Sequence, residues 1–446
     1  MRPTPRASRP GRITVVLAAS LALVTLTGCT DVVVPPAESA SGSTATKAAA
    51  GEVWDASLVH SFSVKTDEAD YRALIEAYEQ SEDKVWIKAT VTIDGTVYEN
   101  VGLKLKGNST LRTLSGRSTS TGSALSSSDP AALPWIIRLD KYTKGQTHAG
   151  STEFVVRGNS SQTSLNEAFA LDLLAETGLA AEPAIAVHFS MNGSAEQLRL
   201  VVENPSDEWM ERTLGDGLLY KAEAGGDYSY RGADASAYAD IFDQEAGDDD
   251  MTPLIEFLRW INEASDSDFA AGLADRFDVE AFATYLAFQD LVDNFDDIDG
   301  PGNNSYLYYD PATQRMTVVN WDLNLAFGLR PGGGNGAGAP GGQQQGGGPR
   351  GGAPGEGQAP GVNGAGPGGQ GASRSNILRA RFVAVPAFKA LYDAAAVKLR
   401  SDLVDSGIAA KLLEARTRVL QQGAADLVDA TVITRESSAL ATKLGI

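Results

Sequence analysis

Short stretches in the first half of the chain alternate apolar and polar residues, a period of two that predicts β-strands. Longer stretches place apolar residues three or four positions apart, which predicts helices, and residues 376–444 show only this spacing. The predicted strands cover residues 59–64, 85–93, 97–106, 135–139, 154–156, 184–191, 198–203, 305–309 and 316–321. The predicted helices cover residues 66–78, 164–177, 253–263 and 279–292, followed by those of 376–444. Because turn residues separate several strands, the pattern predicts an α+β fold with antiparallel N-terminal strands and a helical C-terminal part.

Two segments carry more specific expectations. The segment 164–177 is expected to be an amphipathic helix that buries one face and ends at Gly178. Its inward residues should be Leu165, Phe169, Leu173 and Leu174. By contrast, residues 240–250 carry many carboxylates, so they are expected to form an acidic surface loop.

Three other segments lack apolar periodicity. Residues 29–52, rich in Ala, Ser, Thr and Pro, predict a disordered tether, and residues 113–132 predict a polar insertion. Residues 331–372 are almost wholly Gly, Pro, Gln and Ala, and they predict a disordered insertion because they cannot bury enough apolar surface to fold. The ordered part should therefore be a domain at 53–330 that is completed by C-terminal helices at 373–446.

The N-terminus has the parts of an export signal. Four arginines precede an apolar run at 13–26, and Leu26-Thr27-Gly28-Cys29 then matches a lipoprotein cleavage box. We expect residues 1–28 to be a lipoprotein signal peptide and Cys29 to carry the lipid that anchors the protein to the outer side of the cell membrane. An ordinary signal peptide or a short membrane anchor is the alternative, although the apolar run is short for a bilayer span. Cys29 is the only cysteine, so the exported domain would contain no disulfide.

The chain is strongly acidic, with 57 Asp and Glu residues against 37 Lys and Arg and a formal charge of −20. Removal of residues 1–28 would take away four basic residues and no acidic one, which lowers this charge to −24. Such a surface repels nucleic acid and anionic lipid head groups. Neither is an expected partner, and contact with the membrane should be through the lipid alone.

Candidate chemistry concentrates in residues 290–328, where a run of carboxylates precedes two of the predicted strands. The Asp-Pro turn between those strands predicts an antiparallel pair, which would bring Asn303, Asn304 and Asp322 to one end. Carboxylate and amide oxygens suit Mg²⁺ or Mn²⁺. The residues do not fit an EF-hand loop, and the three widely separated histidines do not predict a zinc site. A solvated acidic loop is the alternative interpretation.

Several motifs resemble the core of the CotH family, the spore-coat-protein-H-like atypical protein kinases. They are Asn294-x-Asp296, the run Asn304-Ser-Tyr-Leu-Tyr, the run Trp321-Asp-Leu-Asn-Leu-Ala-Phe-Gly328 and the run Lys106-Gly-Asn-Ser at the end of a predicted strand. The resemblance implies a protein-kinase-like fold that binds ATP with Mg²⁺ or Mn²⁺. It also implies transfer of the γ-phosphoryl group to a Ser or Thr hydroxyl of a protein substrate.

The resemblance assigns roles to the polar residues of these motifs. Asp296 matches the N-x-D motif and is the preferred catalytic carboxylate. Asp299 is the alternative, because it stands five residues before Asn304, as the catalytic Asp stands before the metal-binding Asn in protein kinases. Asn304 and Asp322 are the expected metal ligands, and Asn324 is a further candidate.

Several cations are candidates for binding the nucleotide phosphates. Alternation places Lys104 and Lys106 on one face of their strand, where they either bind phosphate or line a solvent-facing edge. The lysine pair that the family carries before its next strand is replaced here by Ala-Ala-Leu-Pro-Trp at 131–135. Arg138 and Lys141 are further candidates for the phosphates. Glu203, at the end of its predicted strand, either binds the cation that contacts the phosphates or only ends the strand.

Two other functions are compatible with this pattern. A non-catalytic protein of the same fold would serve adhesion or envelope organisation at the cell surface, consistent with the missing lysine pair. A cation-dependent carbohydrate-binding protein would use the same carboxylates together with Tyr306 and Trp321. Metal-dependent binding of ATP, but not of sugars, would separate a kinase from the carbohydrate-binding protein.

Overall fold

The computed structural model describes residues 53–107, 111, 114, 125–330 and 376–446, which belong to one compact unit. The predicted signal peptide, lipidation site and tether lie outside the described residues, as do the segment 331–372 and most of the polar insertion at 113–132. Within the described part of the chain, no helix combines the length and the apolar character that crossing a membrane requires.

Seven strands of the first half form a closed barrel. They are Val59–Thr66 (β1), Ile87–Ile93 (β2), Thr96–Leu105 (β3), Trp135–Arg138 (β4), Glu153–Val156 (β5), Ala184–Met191 (β6) and Gln197–Glu203 (β7). Their order is β1-β2-β3-β4-β5-β7-β6, and the neighbours pair antiparallel except where β6 closes the barrel by running parallel to β1. Leu103 and Leu105 are fully buried in the barrel core, whereas Lys104 and Lys106 are only partly buried, as alternation predicts. The predicted strands are confirmed to within a few residues.

A second sheet has four strands. They are Leu218–Ala222 (β8), Phe242–Ala246 (β9), Ser305–Asp310 (β10) and Arg315–Asn320 (β11), in the order β11-β10-β8-β9. The predicted hairpin is confirmed, since β10 and β11 pair antiparallel. The expected surface loop at 240–250 is wrong in part, because it contains β9 with Phe242 and Ala246 buried. The periodicity missed this edge strand because polar and acidic residues occupy its middle positions.

The described part of the chain also contains ten α-helices. They are Glu68–Ser81 (α1), Leu165–Ala175 (α2), Asp207–Thr213 (α3), Thr252–Glu263 (α4), Asp266–Gly272 (α5), Val279–Leu291 (α6), Ile377–Ala384 (α7), Pro386–Leu399 (α8), Ile408–Gly423 (α9) and Ala430–Leu444 (α10). The last four confirm the predicted helical C-terminal part. Asp67 caps α1 by accepting hydrogen bonds from the backbone of Ala69 and Asp70, so the helix begins after the predicted start at Thr66.

Helix α2 differs from the expected amphipathic helix because it is buried on almost every side. The four predicted inward residues are buried, but so are Asn166 and Glu167. The helix packs among β6, α9, α10 and a 3₁₀ turn at Leu323–Leu325, which leaves little of its surface to solvent. A carboxylate in such a position requires a partner, and the partner of Glu167 lies in the candidate site.

The barrel and the second sheet meet at a shared apolar cluster. Ile136 and Val155 of the barrel pack here with Tyr306 and Trp321 of the hairpin. The rings of Tyr306 and Trp321 contact edge to face, with centroids 5.6 Å apart. The mixture of sheets and helices confirms the α+β class. This junction places the polar end of the β10–β11 hairpin beside the barrel.

Candidate active site

The β10–β11 hairpin brings the predicted metal-binding residues together. Because Ser305 pairs with Asn320, the next residues at this end are Asn304 and Asn303 before β10, and Asp322 shortly after β11. Asn303 and Asp322 both adopt the left-handed conformation, with φ of 51° and 60°. This conformation is unfavourable for most side chains, and Asn and Asp tolerate it best. The predicted approach of these three residues at one end of the hairpin is confirmed.

A buried amide network anchors the loop that precedes β10. Asn294 donates from Nδ2 to Gln289 Oε1 at 2.9 Å, and Gln289 donates from Nε2 to Asn320 Oδ1 at 2.7 Å. All three side chains are buried. Hydrogen bonds are strengthened by the low dielectric of the interior, so the network ties the loop to the end of α6 and to β11.

Asp296 lies in this loop, next to Asn304. Its carboxylate accepts a hydrogen bond from the backbone N–H of Gly302, and Asn304 donates from Nδ2 to the Asp296 carbonyl at 2.9 Å. A Cβ at residue 302 would lie 2.7 Å from Asp296 Oδ2, so glycine is needed there to leave room for the carboxylate. Burial raises the pKa of Asp296, and the negative charge of Asp322 raises it further. A raised pKa makes Asp296 the better proton acceptor at neutral pH.

Asp299, the alternative catalytic residue, is engaged with the C-terminal helices instead. Its carboxylate pairs with Arg379 and accepts a hydrogen bond from the backbone N–H of Asn376 at 2.7 Å, at the start of α7. An acidic group at the N-terminus of a helix is stabilising. The geometry therefore gives Asp299 a structural task and favours Asp296 for the catalytic one.

Asp322 has a cationic partner that the sequence reasoning missed. Arg157, directly after β5, donates from Nη2 to Asp322 Oδ1. The same guanidinium binds Glu167 of α2 with contacts of 2.9 Å from Nη2 and 3.1 Å from Nε. Burial alone would lower the pKa of Arg157, but the two carboxylates raise it above its ordinary value. Arg157 thus stays charged although its side chain is only 9% exposed.

The charge of Asp322 does not by itself require a metal. Arg157 supplies a compensating charge, and the side chain of Asp322 is 23% exposed. The sequence feature that pointed to this ion pair was an arginine directly after a predicted strand. An arginine in that position is common at surfaces, so its burial was not evident.

Lys106 is the predicted phosphate-binding cation that reaches this site. Its Nζ lies 5.4 Å from the centroid of the Trp321 ring and donates a hydrogen bond to Asn204 Oδ1 at 3.2 Å. Burial lowers the pKa of Lys106 to about 8. A bound phosphate would favour the charged form and raise this pKa again.

The other predicted cations have partners of their own. Lys104 and Lys141 both lie over the ring of Trp86, with Nζ 4.6 and 5.0 Å from its centroid. Arg138 Nη1 lies 3.0 Å from Glu153 Oε1. These three side chains contact Trp86 or Glu153, whereas Lys106 lies over Trp321, the residue before Asp322, so Lys106 is the stronger candidate for the phosphates.

Glu203 and Asn324 take up positions that their motifs did not predict. Glu203 is buried, and its carboxylate accepts hydrogen bonds from Ser151 Oγ at 2.6 Å and from Arg212 Nη2. The backbone carbonyl of Asn324 accepts from Asn166 Nδ2 at 2.7 Å, which ties the segment after Asp322 to α2. Both contacts hold elements of the fold together.

The side chains at the hairpin end carry oxygen atoms of the types that Mg²⁺ and Mn²⁺ prefer. Among the described residues, no three His, Cys, Asp or Glu side chains converge into a group that could hold a metal without other ligands. Mg²⁺ is commonly bound by one or two carboxylates, with phosphate oxygens and waters completing its shell. Asp322 and Asn304 offer oxygens of this kind.

A cavity of about 210 Å³ lies on the side of the loop that faces α7. Its lining includes Ser229, Gly300, Asn303 and Asn376. Gly300 packs against the backbone of Asp296 so closely that a Cβ would not fit. The cavity therefore shares a wall with the loop that carries Asp296.

Comparison with known proteins identifies the family of this chain. The model of a family described as CotH kinase protein matches residues 103–426, which is most of the chain. The chain therefore belongs to the CotH kinase family. A search of curated proteins finds no match to it. The matched region contains Lys106, Arg157, Asp296, Asn304 and Asp322.

Proposed function

We propose that this protein is a kinase that binds ATP with Mg²⁺ or Mn²⁺ and transfers the γ-phosphoryl group to a Ser or Thr hydroxyl of a protein substrate. The observation that carries the proposal is the approach of Asp296, Asn304 and Asp322 at the end of the β10–β11 hairpin, beside Lys106. Phosphoryl transfer requires a carboxylate near the acceptor hydroxyl, oxygen ligands for the metal and a cation on the phosphates. The site offers each of these.

The side chains divide these tasks. When bound, ATP would supply the phosphoryl group, and the metal would supply positive charge that offsets the negative charge of the phosphates during transfer. Asp322 and Asn304 would hold the metal. Asp296 orients the acceptor hydroxyl and takes its proton, for which its raised pKa is suited. Lys106 offsets the negative charge of the phosphates.

The ion pair behind Asp322 supports a kinase-like arrangement of the fold. In protein kinases a strand lysine pairs with a helix glutamate, and both must be in place together with the metal-binding Asp. Here Arg157 after β5 pairs with Glu167 of α2, and the same guanidinium contacts Asp322. An ion pair thus links the end of a strand to a helix in a comparable way, which is our reason for proposing an atypical kinase-like fold.

Calorimetric titration of ATP, with and without Mn²⁺, tests the proposal directly. Binding that requires Mn²⁺ is the expected result. A well-folded protein that binds no ATP would instead support the non-catalytic surface protein. Binding of sugars in place of ATP would support the carbohydrate-binding alternative.

The cavity beside Gly300 offers a place for the acceptor segment. An in-line displacement brings the acceptor from the side opposite the leaving group. Ser229→Trp would fill the cavity, so we expect phosphate transfer to a Ser/Thr peptide library to fall at least about tenfold while the affinity for ATP is unchanged. The measurement is transfer from radiolabelled ATP at saturating nucleotide.

Ser236→Trp is the matched control for this prediction. Ser229 and Ser236 each stand two residues after an Asp and donate a backbone hydrogen bond to its carboxylate, at 3.1 and 3.0 Å. Ser236 is exposed and does not line the cavity. Equal transfer by the two variants would show that the acceptor binds elsewhere.

We further propose that the protein is exported and anchored by a lipid on Cys29, as the basic start, the apolar run and the Leu-Thr-Gly-Cys box indicate. Cys29→Ser should release most of the protein from the membrane fraction, because no acyl chain can then be attached. Fractionation followed by immunoblotting measures this, with Thr30→Ser as the control. A Cys29→Ser variant that stays in washed membranes would contradict the anchor.

A further inference from the structure

Glu182, in the connection between α2 and β6, is buried without the partners that a carboxylate needs. It is 2% exposed, and neither oxygen forms a hydrogen bond with another residue in the part of the chain that the structure describes. Burial raises the pKa of Glu182 to about 8. Native structures rarely leave a buried polar group in this state, and where they do the group commonly has a task.

The surroundings of Glu182 connect it to the candidate active site. Arg157 is close enough to lower the pKa of Glu182, while Glu167 and Asp322 are close enough to raise it. Tyr306 faces the same region with a buried hydroxyl that also forms no hydrogen bond within the described residues. The guanidinium of Arg157 therefore lies near three carboxyl groups, two of which it contacts.

The contact between Arg157 and Asp322 conflicts with metal binding. If Asp322 holds a divalent cation, the guanidinium that now touches its Oδ1 would lie against a like charge. The guanidinium of Arg157 cannot move out into the solvent to avoid this, because the side chain is 9% exposed and is held by Glu167. A buried charge that loses one partner requires another inside the protein.

We propose that Glu182 is a positioning residue, which receives the guanidinium of Arg157 when metal–ATP takes Asp322. This inference depends on the proposed function. In the nucleotide-free protein Glu182 has no hydrogen-bond partner among the described residues, which lowers the stability. In the nucleotide complex it forms a charge-assisted hydrogen bond with Arg157 and leaves Asp322 to the metal. The unpaired Glu182 thus destabilises the nucleotide-free state, and its pairing with Arg157 stabilises the nucleotide complex.

Glu182→Gln separates this role from a structural one. The amide keeps the shape and, unlike Glu182, takes up no proton on folding, so the nucleotide-free protein should melt about 2 °C higher at pH 7. The affinity for Mn²⁺–ATP should fall about tenfold, because Arg157 no longer has a second carboxylate to accept it. A residue with a merely structural role would not raise the melting temperature and weaken binding together. Glu182→Asp, which restores the charge, should recover part of the affinity.

Asp172→Asn is the control for a partly buried carboxylate that already has its partner. Asp172 of α2 binds Arg416 through both oxygens at 2.6 Å. Its substitution should lower the melting temperature and leave the affinity for Mn²⁺–ATP unchanged.

The measurements distinguish failure of the inference from failure of the proposed function. If the unmodified protein binds no Mn²⁺–ATP, the kinase proposal fails and the role of Glu182 fails with it. If the unmodified protein binds and Glu182→Gln binds equally well, only the role of Glu182 is overturned. A Glu182→Gln variant that loses stability and affinity together would show a structural acid, which also overturns the inference.

Discussion

Asp322→Asn is expected to weaken metal-dependent ATP binding at least a hundredfold, equivalent to about 2.7 kcal/mol, while the protein stays folded. Asparagine keeps the shape and tolerates the left-handed conformation at φ 60°, so the local backbone should survive. It removes the charge on the metal ligand, and a neutral amide is a weaker ligand for Mg²⁺ or Mn²⁺. Arg157 keeps its two contacts with Glu167, and Glu182 lies near enough to compensate the guanidinium when the charge of residue 322 is removed. Calorimetric titration of ATP with Mn²⁺ measures the loss.

Asp293→Asn is the matched control for this experiment. Asp293 lies in the same region of the chain and also adopts a left-handed conformation, with φ of 45°, but its side chain is exposed. Its charged neighbour, Lys443, is 4.0 Å away. This control should bind Mn²⁺–ATP like the unmodified protein. Equal affinity of the Asp322→Asn variant would remove the metal role from Asp322.

The second large effect is expected at Asp296. Asp296→Asn should lower the rate of phosphoryl transfer by about 10²- to 10⁴-fold, the range typical for loss of a general base. The amide oxygen can still accept the hydrogen bond from Gly302, so the loop should keep its conformation. Affinity for Mn²⁺–ATP should change little, because Asp322 and Asn304 remain. A single-turnover assay with radiolabelled ATP separates the rate from the affinity.

Asp299→Asn completes this test, because sequence alone left Asp296 and Asp299 as alternatives. Asp299 binds Arg379 and the start of α7, so its substitution should lower the melting temperature while most of the transfer rate is retained. The reverse pattern, a rate lost at Asp299 and kept at Asp296, would exchange the two roles.

Local patterns predicted the parts of this site that depend on neighbours in sequence. Alternation and the Asp-Pro turn predicted the β10–β11 hairpin, and a hairpin necessarily brings Asn303, Asn304 and Asp322 to one end. The same alternation predicted that Lys104 and Lys106 would share one face of β3 while the leucines between them fill the barrel. The motifs near residues 106, 296, 304 and 322 identified the CotH resemblance, which the match to residues 103–426 confirms.

Local patterns failed where long-range packing decides the environment. Helix α2 is amphipathic by periodicity, yet neighbouring elements cover its polar side and bury Glu167. The sequence did not predict strand β9, because its own residues are largely polar and acidic. Its pairing with β8 makes it a strand, and that pairing is visible only in the tertiary structure.

By itself, the sequence determined the α+β class, the order of most elements, the hairpin and the family, because each follows from spacing over a few residues. Only the tertiary structure decided which charges meet. Arg157 and Asp322 are 165 positions apart, and no periodicity relates them. Their contact, the burial of Glu167 and the lack of a partner for Glu182 within the described part of the chain arise when the end of the barrel, α2 and the hairpin pack together. Burial then sets the free-energy cost of leaving a charge unpaired, because that cost rises as the surrounding elements exclude water.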